Sequence, residues 1–186
     1  MSERQNAMIM RWLEGCRKGD RRAQQQLFKH FYSPMFRVCM RYAGSTDEAE
    51  DMLNEGFLKM FSNLDKYENT GSFESWMKRV MVNAALDHRR KYDSKVATTD
   101  LAEVADTVEV GYDVNAAIGR LSSEAIIALI QQLPPTTRTV FNLFVFDGCS
   151  HAEIAQRLGM SEGTSAWHVN AARTRLKNEI AKMNNE

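Results

Sequence analysis

The stretch that decides the fold runs from Asp147 to Lys177, DGCSHAEIAQRLGMSEGTSAWHVNAARTRLK, two short helical patterns around the turn Leu158-Gly159-Met160-Ser161. Ser150 followed three residues later by Glu153 fits a capping box, opening a short helix whose Ile154, Ala155 and Leu158 face inward. Gly159 permits a sharp turn. Ser161 then caps a second helix, where Thr164, Val169, Ala172 and Leu176 have the spacing to pack against the first. This is a helix-turn-helix pattern, whose second helix fits a major groove about 12 Å wide and presents its N-terminal side chains to base edges. Thr164, Ser165, Trp167, His168 and Asn170 are the candidate base readers, through hydroxyl, ring and amide contacts, although Trp167 is also placed to pack inside. Arg173, Arg175 and Lys177 come late in the helix and suit DNA phosphates, which position a protein without specifying sequence. A plain helical hairpin without a ligand is the alternative; the small Ala155, the glycine turn and those three cations weigh against it.

Upstream of this motif a helix is expected from Ser122 through Ile126, Ile127, Leu129, Ile130 and Leu133, stopping at Pro134-Pro135. Thr136 or Thr137 is the expected cap of the next, which carries Val140, Phe141, Phe144 and Val145. In the first half, Leu27, Phe28, Phe31, Tyr32, Met35, Phe36, Cys39 and Met40 repeat at three- and four-residue steps, with Pro34 expected to break the helix. Ala49, Met52, Leu53, Phe57, Met60, Phe61 and Leu64 form a second stripe, and the acids crowding its start suit a helix N-terminus. A third helix is expected from Phe73 to about Tyr92, with Trp76, Met77, Val80, Met81 and Ala84 facing inward, after a polar loop from Tyr67 to Ser72. No segment sustains strand-like alternation. The reading is therefore all-α: two small helical domains, residues 1–95 and 122–186, joined by an acidic linker over 96–121.

Composition bounds the function. The chain has 186 residues, 44% of them apolar, enough to bury a core, and no run approaches the roughly 20 apolar residues that span a bilayer. The start MSERQNAMIMRWLEG lacks a signal peptide's apolar stretch, so no membrane insertion and a cytoplasmic location are expected. Cys16, Cys39 and Cys149 are far apart and outside any zinc or disulfide spacing, so no metal and no cofactor are expected, and the thiols read as buried apolar residues. Net charge is zero, yet the charge is segregated. Lys78, Arg79, Arg89, Arg90, Lys91 and Lys95 face only Asp87 and Asp93 in one segment, whereas Asp100, Glu103, Asp106, Glu109 and Asp113 are opposed by Arg120 alone in the next.

The front half holds no phosphate loop, metal spacing or nucleophilic triad. Its distinctive features are an acidic helix start, TDEAEDMLNEGFLKMFSNL, and a basic, aromatic-flanked segment, YENTGSFESWMKRVMVNAALDHRRKY. Glu48, Asp51 and Glu55 lie at three- and four-residue spacing, so one helix face offers carboxylates to a basic surface or simply to solvent. Tyr67, Phe73 and Trp76 supply rings, Asn83 an amide, and Arg79, Arg89, Arg90 and Lys91 cations, a mixture suited to single-stranded DNA. Stacking a base on an aromatic contributes about 1 to 3 kcal/mol, comparable with the cost of unstacking it, so opened DNA can be trapped without ATP. Phe73 and Trp76, three apart, read as core.

These residues resemble bacterial sigma factors of the extracytoplasmic-function type, within the sigma-70 family, over nearly the whole chain. DEAEDMLNEGFLKMF resembles the helix that docks on the clamp of RNA polymerase's largest subunit; FESWMKRVMVNAALDHRRKY resembles the promoter-melting segment, and CSHAEIAQRLGMSEGTSAWHVNAARTRLK the C-terminal helix-turn-helix. The resemblance implies core RNA polymerase as partner, through that clamp and the flap of the second-largest subunit, promoter DNA both double-stranded and melted, and room for an anti-sigma factor. It implies polymerase contacts at Glu48, Asp51, Glu55 and Lys59, and melting and base capture at Tyr67, Arg79, Asn83 and Asp87, Tyr67 and Asn83 lining a pocket for a flipped base. Arg89, Arg90 and Lys91 would bind phosphates at the upstream fork, with a solvated helix end as the alternative, and the acidic linker would lie in the RNA exit path or serve as an ordinary tether. One departure stands out: family members commonly carry Arg or Lys in the base-facing part of the recognition helix, and Glu162 to Asn170 has neither.

The expected function is a non-enzymatic initiation factor. A free-standing regulator that binds an operator without polymerase is the alternative, and a metal-dependent nuclease using Asp47 to Glu55 is a remote third.

Overall fold

A computed structural model describes residues 3–68, 71–93 and 122–183, which belong to two compact units, within 1–95 and 96–186. The expected acidic linker lies outside the described residues. Every regular element among them is helical.

Unit 1 packs α1 (Glu3–Arg17), α2 (Arg21–Tyr42), α3 (Thr46–Ser62) and α4 (Phe73–Asp93), with a 3₁₀ turn at Leu64–Lys66. The first helix was not anticipated; Ile9, Leu13 and Cys16, at i, i+4 and i+7, are its buried stripe. Asp20 caps α2 by accepting from the Arg22 backbone N–H at 2.8 Å. A Cβ on Gly15 would stand 2.6 Å from the Ala23 Cβ, so a glycine is what lets α1 close on α2.

Pro34 does not break α2, contrary to expectation; it lies inside one 22-residue helix. Proline removes one backbone bond, that to the His30 carbonyl, but Leu27, Phe31, Met35, Val38, Cys39 and Tyr42 are all buried along the same face across it. At about 1.5 to 3 kcal/mol per fully buried large apolar side chain, the stripe outweighs the roughly 3 kcal/mol that an interior proline costs. Ser45 caps α3 by accepting from the Glu48 N–H, while the Glu48 carboxylate accepts from the Gly44 N–H. Helices α3 and α4 meet where Gly56 faces Met81, whose sulfur occupies the space a side chain would need.

Unit 2 comprises α5 (Ser123–Gln131), α6 (Pro135–Val145), α7 (His151–Leu158) and α8 (Glu162–Met183). Ser122 caps α5. Neither Thr136 nor Thr137 caps α6: the N-cap is Pro134, without a side-chain bond, and Pro135 occupies the first turn. Proline there has no N–H to satisfy, and the Thr137 hydroxyl is buried elsewhere in the unit. Ile130, Leu133, Phe141 and Ala172 form the core, and Leu129 packs on Ile180 at the far end of α8. The capping box at Ser150 and Glu153 forms in both directions, and Gly159 ends α7 at φ +68°, a left-handed conformation that strains other residues.

Candidate nucleic-acid and polymerase interfaces

Along the α3–α4 edge, Lys59 Nζ sits 3.0 Å from Glu55 Oε1 and 2.9 Å from Asp87 Oδ2, while Lys91 Nζ reaches the same Glu55 oxygen at 3.0 Å. Arg90 continues the chain to Asp87 at 3.3 Å. Partial burial alone would raise the Glu55 carboxyl, but hydrogen bonds from Lys59 and Lys91 hold it below its ordinary range. Burial likewise works against the Lys59 ammonium, and Asp87 and Glu55 hold it above its usual value instead. The face expected to offer three carboxylates is thus largely engaged within the fold. Glu48 is spent on the α3 cap with its other oxygen 3.9 Å from His88 Nε2, Glu55 and Lys59 belong to the cross-helix network, and Asp51 stays exposed. Beside them Leu58 is 69% exposed, although its neighbours Phe57 and Met60 are buried. Leu58 stands off the buried stripe of α3, and an apolar residue off such a stripe is the mark in the sequence of an exposed apolar position.

Between the end of α3 and the first turns of α4, Lys66, Tyr67, Glu68, Gly71, Ser72, Ser75, Trp76 and Arg79 line a cavity of about 310 Å³. Tyr67 forms its wall rather than a mobile platform: its hydroxyl donates to the Gly71 carbonyl at 2.8 Å, and its ring meets Phe73 edge-on at 5.2 Å and Trp76 at 5.5 Å. The Arg17 guanidinium, from the last turn of α1, donates to the Tyr67 carbonyl at 3.1 Å, so the unanticipated helix anchors this wall. Burial pushes the phenol up, and the Arg17 charge partly opposes it. Phe73 is core, as its spacing indicated, but Trp76 is half-buried and lines the cavity. The structure brings Tyr67 and Arg79 together here. Asn83, one turn further along α4, is exposed and does not line the cavity, and Asp87 is turned to Lys59.

In unit 2 two of the expected base readers face inward. Ser165 is fully buried and shares a 3.0 Å hydrogen bond with His151 Nδ1; His168 is 7% exposed and shares one of 3.0 Å with the Thr137 hydroxyl. They sit on the side of α8 that carries Val169 and Ala172, and a helix rotating about 100° per residue cannot turn that side to DNA as well. Thr164 is exposed rather than packed against α7, and its hydroxyl and backbone N–H both bond Ser161 Oγ, at 2.8 and 3.0 Å. Trp167 is 45% exposed, its ring edge-on to His168 at 4.8 Å, and Asn170 is exposed. Arg173, Arg175 and Lys177 are exposed, with the Arg173 guanidinium 5.9 Å from the centre of the Phe144 ring. The three thiols are buried and protonated at neutral pH, desolvation pushing Cys16 to about 11 and Cys39 to about 12. No helix of the described residues is long and apolar enough to cross a membrane, and no cluster among them could hold a metal ion.

A capped helix-turn-helix in one helical unit, and a cation-edged aromatic cavity in another, define a DNA-binding protein of two helical units. The family model for Sigma-70 region 2 matches residues 27–95 and that for Sigma-70, region 4 matches residues 123–176, together more than half of the chain. The chain belongs to the sigma-70 family, extracytoplasmic-function type. It is 29% identical to the ECF RNA polymerase sigma factor SigW of Bacillus subtilis over 93% of this chain and 97% of that one. It is also 29% identical to the RNA polymerase sigma-H factor of Pseudomonas aeruginosa, over 87% and 88%. Among solved structures, the sigma factor RpoE of Bartonella quintana, in complex with the anti-sigma factor NepR, shares the fold at a TM-score of 0.50 and 20% identity, over 85% of this chain and 96% of that one.

Proposed function

We propose that the chain binds core RNA polymerase, directs it to a two-part promoter and holds melted non-template DNA with unit 1, while α8 of unit 2 reads the upstream element in the major groove. It acts by binding, in the cytoplasm, and RNA synthesis belongs to the polymerase. The observation that carries this reading is the cavity walled by Tyr67 and Trp76 and edged by Lys66 and Arg79, with room for a planar base and cations at its rim for the adjoining phosphate. Asn83, exposed on α4 one turn beyond Arg79, is suited to meet the strand outside the cavity rather than within it. Polymerase contact is assigned to the exposed part of α3, Asp51 and Leu58, with Glu48, Glu55 and Lys59 shaping that face from within the fold. Arg89, Arg90 and Lys91, at the end of α4, and Arg173, Arg175 and Lys177 of α8 are assigned to phosphates. An anti-sigma factor, the kind of partner bound to the Bartonella protein, is a further proposed partner.

The test is reconstitution with core polymerase lacking any initiation subunit. Co-migration on a sizing column and transcription from a subset of a random promoter library are expected. A chain that never co-migrates, yet binds a DNA duplex tightly alone, would establish the operator-binding alternative instead.

A further inference from the structure

The roll of α8 is set by two polar links that are expensive to break because both are buried or nearly so: Ser165 to His151 of α7, and His168 to Thr137 of α6. Taking about 100° per residue, Ser165, His168, Val169 and Ala172 cluster around one side of the helix, and Trp167 and Asn170 fall roughly opposite. Trp167 is not loose on that outer side, since its ring rests edge-on against His168, itself tied to Thr137. The side chain offered to a groove is therefore a large ring held by a fixed neighbour, which keeps the ordering cost of binding low.

We propose that Trp167 and Asn170 are the specificity-determining residues of the upstream contact and that they select an adenine·thymine step. This rests on the reading of α8 as the groove-binding helix. Major-groove chemistry supports the choice. Thymine presents a C5 methyl, which an indole face covers; adenine presents the N6 donor and N7 acceptor that an asparagine amide matches with two bonds. Guanine is read best by the paired donors of Arg or Lys, and α8 carries no cation before Arg173, three turns in. Thr164, whose hydroxyl is already bonded to Ser161, adds a methyl group and an oxygen that keeps acceptor capacity. A well-made base contact discriminates by roughly 5- to 140-fold, the equivalent of about 1 to 3 kcal/mol.

The experiment is selection from duplexes randomised across the upstream ten or so base pairs, by the full-length chain bound to core polymerase and, in parallel, by the chain alone at low salt. The wild-type protein should enrich adjacent adenine and thymine positions. Trp167→Ala should lose the thymine preference at one position and Trp167→Phe should keep it, which separates base reading from a folding defect. Asn170→Ala should lose adenine beside it, whereas Arg173→Ala should weaken all duplexes alike. Unchanged base frequencies in Trp167→Ala, or guanine enriched where Trp167 and Asn170 act, overturn the proposal. Failure to bind polymerase counts against the proposed function instead, and the selection by the chain alone then still decides the base preference. No enrichment in either arm overturns it.

Discussion

Asp51 and Glu55 carry the same charge, one helical turn apart, but the structure predicts opposite consequences for neutralising them. Glu55→Gln removes the anion shared by Lys59 and Lys91, each 3.0 Å away on one oxygen. The partners are unequally sheltered, with 33% of the Lys59 and 66% of the Lys91 side chain exposed, so each pair contributes only about 0.2 to 1 kcal/mol after solvent screening. The total is about 1 kcal/mol, or a fall of roughly 4 to 8 °C in Tm for a unit of this size. Because the folded Glu55 carboxyl lies below the ordinary 4.5, this stability is present above about pH 4.5 and is lost as pH falls through the lower folded value. The gap between wild type and Glu55→Gln should therefore close in acid. Asp51→Asn should leave stability within about 0.5 kcal/mol of wild type, as an exposed substitution does, and weaken polymerase binding in a salt-dependent way through the association rate. Thermal melts between pH 3 and 7, paired with fluorescence-detected polymerase titrations at two salt concentrations, read both effects. Glu55→Gln melting with wild type at pH 7, or Asp51→Asn destabilising the fold, would refute this division of labour.

Two further outcomes follow from unit 1. Asn83→Ala, exposed and outside the cavity, should slow promoter opening in a stopped-flow melting assay more than it weakens polymerase binding; equal losses in both count against a strand contact. Pro34→Ala should stabilise the protein by about 2 kcal/mol in chemical denaturation, the roughly 3 kcal/mol helix penalty less up to about 1 for the looser unfolded chain, and a loss of stability would show that the proline is needed where it stands.

Helical periodicity and caps were legible because their causes are local. Ser122, Ser150 with Glu153, and Gly159 act within three or four residues of themselves, and their patterns became the observed helix ends. Pro34 was misread because local chemistry favours a break, and the decisive weight is apolar burial against residues distant in sequence. The cavity was half-legible for the same reason: Tyr67 and Trp76 belong to one short segment, but the role of Arg17, fifty positions earlier, has no local trace. Recognition-helix orientation was the least legible. Ser165 and His168 look like polar groups for a groove until Thr137 and His151 arrive as partners, and hydrogen bonds between separate helices leave no periodic mark.

Charge in unit 2 bears on how tightly it can hold DNA by itself. From Ser122 onward the cations Arg138, Arg157, Arg173, Arg175, Lys177 and Lys182 are matched in number by Glu124, Asp147, Glu153, Glu162, Glu179 and Glu186, so this third of the chain has no net formal charge. Arg138 is only 6% exposed and bonds the Leu133 carbonyl, which removes it from any DNA surface. If Arg173, Arg175 and Lys177 meet three phosphates, the logarithm of affinity should fall with that of salt at a slope of about −2.7, or roughly 40-fold between 50 and 200 mM. Contacts that few leave the unit weak alone; polymerase supplies the remainder by holding it near the promoter at high effective concentration. Duplex titrations across salt should give that shallow slope for the isolated chain, with tight binding only once polymerase is added. A nanomolar Kd for the chain alone at 150 mM salt would mean that the cations of α8 are not its main hold on DNA, and would restore the autonomous regulator.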